Sequence, residues 1–311
     1  MNWLVVALSA YLLLAVANLL DKFVVDNVLK SSKAYVFAAC ILGLLVFILA
    51  PWFLNWPGIF LFILNLLTGF IFALALWALY EALRRGEAAK TLVFIGGLTP
   101  VFSIIFSIIF FKEIFTLNQW LGIVALLIGV LLIAFLPQAH NFLIRVLGKL
   151  NLRQKIGGGG IMIALLSALA YSAYFILSKY TYLEQPFLSA FLWNRLGAGL
   201  FVLIFLIRKS DRHKIISLFE AGSPRQNKWL VMFNQLLGAS GFMLQNYAIF
   251  LGSVAIVNAL QGFQYAFLLV ISALLAVLSP KLLKVNFSWR SVLQKTLAVI
   301  FIALGLYFIA S

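Results

Sequence analysis

The sequence predicts an all-α integral membrane protein, with ten transmembrane helices built as two inverted five-helix repeats. Three observations predict it. About ten apolar stretches of membrane-spanning length occupy the 311 residues. Twenty of the 23 lysines and arginines fall in alternate connections, so they gather on one side. Connections that carry cations in one half correspond to cation-poor connections in the other, as an odd number of spans per repeat requires.

In order, the first half carries spans near 3–20, 34–54, 58–83, 88–111 and 117–136. The second carries them near 161–177, 187–207, 229–251, 254–278 and 292–310. Lys22, Lys30 and Lys33 follow the first span, and Arg84, Arg85 and Lys90 follow the third. Arg145, Lys149, Arg153 and Lys155 follow the fifth. Six cations between Arg208 and Lys228 follow the seventh, and Lys281, Lys284, Arg290 and Lys295 follow the ninth. Lys112 and Lys179 fall on the opposite side, and Arg195 lies inside a span. Cation-rich loops remain cytoplasmic, so a multi-pass protein of the inner membrane with both termini outside is expected.

The repeat is also visible in residues. Ala82-Leu83-Arg84-Arg85-Gly86-Glu87-Ala88-Ala89 joins the third and fourth spans, and Ala248-Ile249-Phe250-Leu251-Gly252-Ser253-Val254-Ala255 joins the eighth and ninth. Both read Ala, aliphatic, two variable, Gly, two variable, Ala. Three units are expected: a first repeat at 1–137, a cytoplasmic connector at 138–160 and a second repeat at 161–311. In the connector, Phe142, Val146, Leu147 and Leu150 at helical spacing alternate with Arg145, Lys149 and Arg153. That pattern predicts an interfacial amphipathic helix, followed by a flexible run at 157–160.

Composition narrows the function. A chain that is 65% hydrophobic and 10% charged cannot hide its apolar surface in water. The net charge of +15 sits in loops beside a membrane, so anionic headgroups, not nucleic acid, are the expected partner. Cys40 is the one cysteine, and His140 and His213 lie in loops. No metal ion or cofactor is expected. Intramembrane catalysis needs paired carboxylates, metal-binding histidines or an activated nucleophile, and the spans offer none.

Leu98-Thr99-Pro100-Val101-Phe102 in the fourth span, Lys112-Glu113 at its end, and Gln119, Gly122 and Gly129-Val130 in the fifth resemble the drug/metabolite transporter superfamily in its ten-helix EamA-like branch. Trp193-Asn194-Arg195-Leu196 resembles that family's arginine in the second helix of a repeat. The first half has Ala39 or Cys40 there instead, and the ninth span has no proline to match Pro100. Small four-helix relatives couple protons through a glutamate in the first helix, where this chain has Ala10, Tyr11 and Leu14. The resemblance implies a secondary transporter, an exporter of amino acids or related small metabolites. A translocator of lipid-linked or phosphorylated substrates is the alternative.

Polar residues inside the spans mark the candidate site, because each needs a partner or a water-filled cavity. Ser167, Tyr171, Tyr174 and Ser178 share one face of the sixth span. Asn234, Gln235, Gln245 and Asn246 form a stripe on the eighth, and Asn258, Gln261 and Tyr265 line up on the ninth. These faces are expected to converge on a central substrate cavity lined by Tyr171, Tyr174, Arg195, Gln245, Asn258, Gln261 and Tyr265, with Trp77, Tyr80 and Thr99 from the first half. Packing by interhelical hydrogen bonds is the competing reading. Ser103 and Ser107 are expected to bond their own backbone. Arg195 either binds a substrate anion or clamps the bundle. Pro100, after Gly96 and Gly97, is expected to bend the fourth span. Glu81 is expected to pair with Arg84 or Arg85, and Asp21 and Asp26 lie near a span end. A monomer or homodimer is expected.

Overall fold

The computed structural model describes residues 2–28, 31–85, 88–134, 158–220, 225–278 and 289–310. The first half comprises α1 (Asn2–Val28), α2 (Ser32–Gly43), a 3-10 turn at Leu44–Leu49, α3 (Ala50–Phe53), α4 (Ile59–Arg85), α5 (Ala88–Phe111) and α6 (Leu117–Ala134). The second comprises α7 (Gly158–Glu184), α8 (Phe187–Leu203), a 3-10 turn at Ile204–Leu206, α9 (Lys209–Glu220), α10 (Arg225–Leu251), α11 (Val254–Ala259), α12 (Gln261–Leu278) and α13 (Trp289–Ala310). No strand occurs among the described residues. Five helical stretches there are long and apolar enough to cross a membrane, at 32–53, 59–85, 94–111, 160–184 and 187–206. Most of the expected connector, together with Glu87, lies outside the described residues, as do the side chains of Asp21 and Asp26.

The halves match in length as well as pattern. α1 and α7 have 27 residues each, and so do α4 and α10, with the Ala–Gly–Ala match in register at their ends. Packing follows the same symmetry. α1 runs along α10 as α4 runs along α7, and α6 pairs with its own counterpart α13. Gly122 and Gly305 allow that last pair to meet: a Cβ on Gly122 would fall 2.9 Å from the Gly305 carbonyl oxygen. Small residues at such crossings are how helices associate in lipid, where apolar burial offers no drive.

Two ends are distinguishable. At the cation-rich end, Glu81 accepts hydrogen bonds from Arg84, Arg85 and the Ser32 hydroxyl, at 2.5–2.9 Å. Lys33 bridges to Asp211 on α9 at 2.6 Å. At the other end, Lys179 donates to the carbonyls of Ile249, Phe250 and Gly252 at 2.9–3.0 Å, closing the C-terminus of α10. There, too, the Ser253 hydroxyl donates to Glu113 at 2.6 Å, tying the end of α5 to the start of α11. Trp3 packs on Gly252 and Ile309 on Gly122, so the start of α1 and the end of α13 approach this cation-poor end.

Two local expectations change. The 157–160 run is not a loop from Gly158 onward, because α7 already starts there and Gly160 packs on the Arg85 backbone. α5 continues through Pro100 without interruption. The ninth span, expected as one stretch, is broken at Leu260 between α11 and α12. A hydroxyl stabilises it: Tyr11 donates to the Val257 carbonyl at 2.6 Å, satisfying an acceptor at the end of α11.

Candidate functional site

Arg195 on α8 stands where both halves meet. Its guanidinium carbon is 4.4 Å from the Phe72 ring centroid, 4.7 Å from Phe242 and 4.8 Å from Phe191. Those rings come from α4, α10 and α8. Gly43 of α2 admits the arginine stem, its Cβ position lying 3.7 Å from Cδ. One Nη donates weakly to the Tyr174 hydroxyl at 3.4 Å, while Nε has no acceptor among the described residues. No carboxylate pairs with it among them. The cation is offset by ring quadrupoles, each worth about 2 kcal/mol when desolvated. Tyr174 and Tyr182 both donate to Asn246 Oδ1 at 2.9 Å, and Asn246 Nδ2 donates to the Phe242 backbone carbonyl. The arginine cage and the asparagine knot therefore share Tyr174 and Phe242.

A second knot surrounds the broken ninth span. Gln245 donates to the Tyr11 hydroxyl and to Asn258, both at 3.4 Å, and Asn258 donates to Ser103 at 2.9 Å. Ser103 thus departs from the expected bond to its own backbone, because it faces α11. Thr99 does bond its own helix, at the Ile95 carbonyl, 2.8 Å away. Its carbonyl accepts from Ser172 of α7. Replacing Tyr11 by phenylalanine is expected to orphan the Val257 carbonyl and cost about 1–3 kcal/mol. A melting curve in detergent checks this, and an unchanged midpoint would assign the break to packing alone.

The remaining expected residues lie in separate settings. Tyr171 stacks on Phe175 and meets Phe72 edge-on. Tyr265 seats its hydroxyl over Gly96, in space that a Cβ there would take. Gln261 is half-buried beside the break. Tyr80 packs edge-on against Tyr35, 4.3 Å between centroids, and Tyr35 accepts from Gln235 at 3.3 Å. Trp77 lines a cavity of about 390 Å³ at the cation-rich end, between α4 and the end of α8. Tyr174 with Arg195, and Gln245 with Asn258, are brought together, each pair within its own knot. Tyr11, Tyr182 and the three phenylalanines were missing from the expected set. Tyr182 had a signal, lying two turns from Tyr174 on one face of α7.

The comparisons with known proteins agree with this architecture. A crystal structure of another protein superposes with a TM-score of 0.64 at 15% identity, covering 98% of this chain and 96% of that one, a likeness of fold alone. The uncharacterized transporter YdfC of Bacillus subtilis (strain 168) is 34% identical over 112 residues. That match spans 34% of this chain and 30% of the relative's length. The family model for EamA-like transporters matches residues 1–135 and again 158–311. Both sequence matches point to transport rather than catalysis. With a copy of the family pattern in each half of a multi-pass helical bundle, the chain belongs to the EamA-like transporter family.

Proposed function

We propose that this protein exports small polar or amphipathic metabolites, amino acids foremost, across the cytoplasmic membrane by alternating access. In this reading the repeats are 1–137 and 161–311, joined by the connector at 138–160. The cation-rich end faces the cytoplasm and both termini face outward. One observation carries the mechanism. Inverted repeats make the α4–α8 and α10–α2 interfaces equivalent, yet they differ. α4 meets α8 backbone to backbone at Gly69 and Gly197, whereas α2 and α10 meet over a shorter stretch. In the shared register Gln235 stands where α4 has Gly69, and its amide reaches Tyr35. Exchanging which interface is tight would open one face and close the other, with Arg195, Tyr174, Gln245, Asn258, Gln261, Tyr265, Tyr171, Trp77, Tyr80 and Thr99 as the candidate substrate residues.

Two experiments test it. Proteoliposomes loaded with unlabelled amino acid are expected to take up the labelled form by exchange. A panel in which only a lipid phosphate moves would instead support the translocator reading. For orientation, alkaline phosphatase fused after Ser311 is expected to be active and a cytoplasmic reporter silent, and the reverse would sink the assigned sidedness.

A further inference from the structure

The 390 Å³ cavity between α4 and the end of α8 is unlike the two hydrogen-bonded knots. Its wall is apolar along Leu74, Phe201, Ile204 and Ile207, and its charges lie at one end. Ile204 and Ile207 are 52% and 81% exposed, so the wall runs into the bundle's outer apolar surface. The charged end is Lys33, Asp211 and Arg208. Lys33 and Asp211 neutralise one another at 2.6 Å. The Arg208 side chain is exposed and makes no hydrogen bond or ion pair among the described residues. One uncompensated cation therefore sits over an apolar groove that opens sideways. Lys209 and Arg212 extend the positive rim along α9, both exposed.

We infer that this groove binds an anionic phospholipid from the leaflet at the cation-rich end. One acyl chain lies along Leu74, Phe201 and Ile204, and the headgroup phosphate meets Arg208. Charge complementarity selects this occupant. Basic pockets between spanning helices hold anionic headgroups, and arginine presents phosphate with a planar fork of donors. A zwitterionic amino acid fits poorly, because Asp211 is already taken by Lys33 and the wall offers an ammonium no other acid. Trp77, whose indole N–H has no acceptor among the described residues, stands in the same wall, about two turns of α4 from Arg84.

The test needs no transport assay, so its failure leaves the transport reading standing. Full-length protein in a neutral detergent is melted with added phosphatidylglycerol, or with phosphatidylcholine of the same chains. A ligand that binds the native state raises the midpoint by mass action. Phosphatidylglycerol is expected to raise it by several degrees more than phosphatidylcholine. Arg208→Gln is expected to erase that difference while leaving the lipid-free midpoint unchanged. Ile204→Trp, which fills the groove, is expected to erase it too, and Lys209→Gln, on the rim outside the groove, is expected to keep it. Equal shifts from both lipids, an intact preference in Arg208→Gln, or its loss in Lys209→Gln would overturn the site. So would protection by glycerol phosphate alone, which would mean the chain groove is not used, or competition by free phenylalanine, which would make it a substrate vestibule.

Discussion

Gly69→Leu is expected to destabilise the protein by about 3 kcal/mol or more, a fall of roughly 5–10 °C in the melting midpoint. The reason is backbone against backbone. A Cβ on Gly69 would overlap the Asn194 carbonyl, and one on Gly197 would lie 2.7 Å from the Leu66 Cα. Neither neighbour is the loose end of a side chain, so relief requires α4 and α8 to separate. The equivalent position supplies an internal comparison. Gln235→Leu removes a 3.3 Å hydrogen bond to Tyr35 from the less intimate interface. It is expected to cost about 1 kcal/mol or less. Similar losses from the two substitutions would show that the asymmetry between these interfaces is not a property of the native protein. Exchange activity measured on whatever Gly69→Leu protein folds should fall further than stability, if this interface must re-form in each cycle.

The second large effect is expected at Arg195. Three ring contacts at 4.4–4.8 Å hold its charge in place. Arg195→Gln keeps the packing volume in part but gives the rings no cation. It also leaves a shorter amide among Phe72, Phe191 and Phe242. The expected loss is about 2–4 kcal/mol, present with or without substrate. Arg195→Lys keeps a point charge and loses the planar stack, so an intermediate loss is expected. This ordering follows from a structural clamp, because the side chain is 8% exposed and enclosed by rings from three helices. A substrate anion could reach it only after Phe72 or Phe242 moves. Calorimetry in detergent with and without the substrate identified by the exchange assay separates the roles. Direct contact predicts that substrate stabilises the wild type and not Arg195→Gln. A variant of normal stability and normal exchange would remove Arg195 from both roles.

The cations and the apolar lengths made the inverted topology readable before any packing was known. Each span must be apolar over about 20 residues, and each connection declares its side by charge, so both signals run along the chain. The same one-dimensional logic located Arg195, Gln245, Asn258 and Tyr174 as costly polar groups needing partners. It paired Glu81 with Arg84 and Arg85, which are three and four residues away on one helix.

What lay beyond it was lateral. No residue in the ninth span announced the break at Leu260, where a hydroxyl from Tyr11, 246 residues away in sequence, takes the Val257 carbonyl. Ser103 could bond its own backbone by local rules, and bonds Asn258 because α5 turns that face to α11. The polar stripes read as lining for one space, and the structure draws them into two knots, with Trp77 apart in a groove. By itself, then, the sequence determined the number of spans, the two mirrored halves and which end carries the cations, because transfer into lipid is decided segment by segment. Tertiary structure alone decided which polar groups satisfy one another, that phenylalanines hold the charge of Arg195, and that Gly69 and not Gln235 marks the close crossing. Those outcomes depend on which helix faces touch and how nearly, and side-chain shapes settle that only when the helices are packed together.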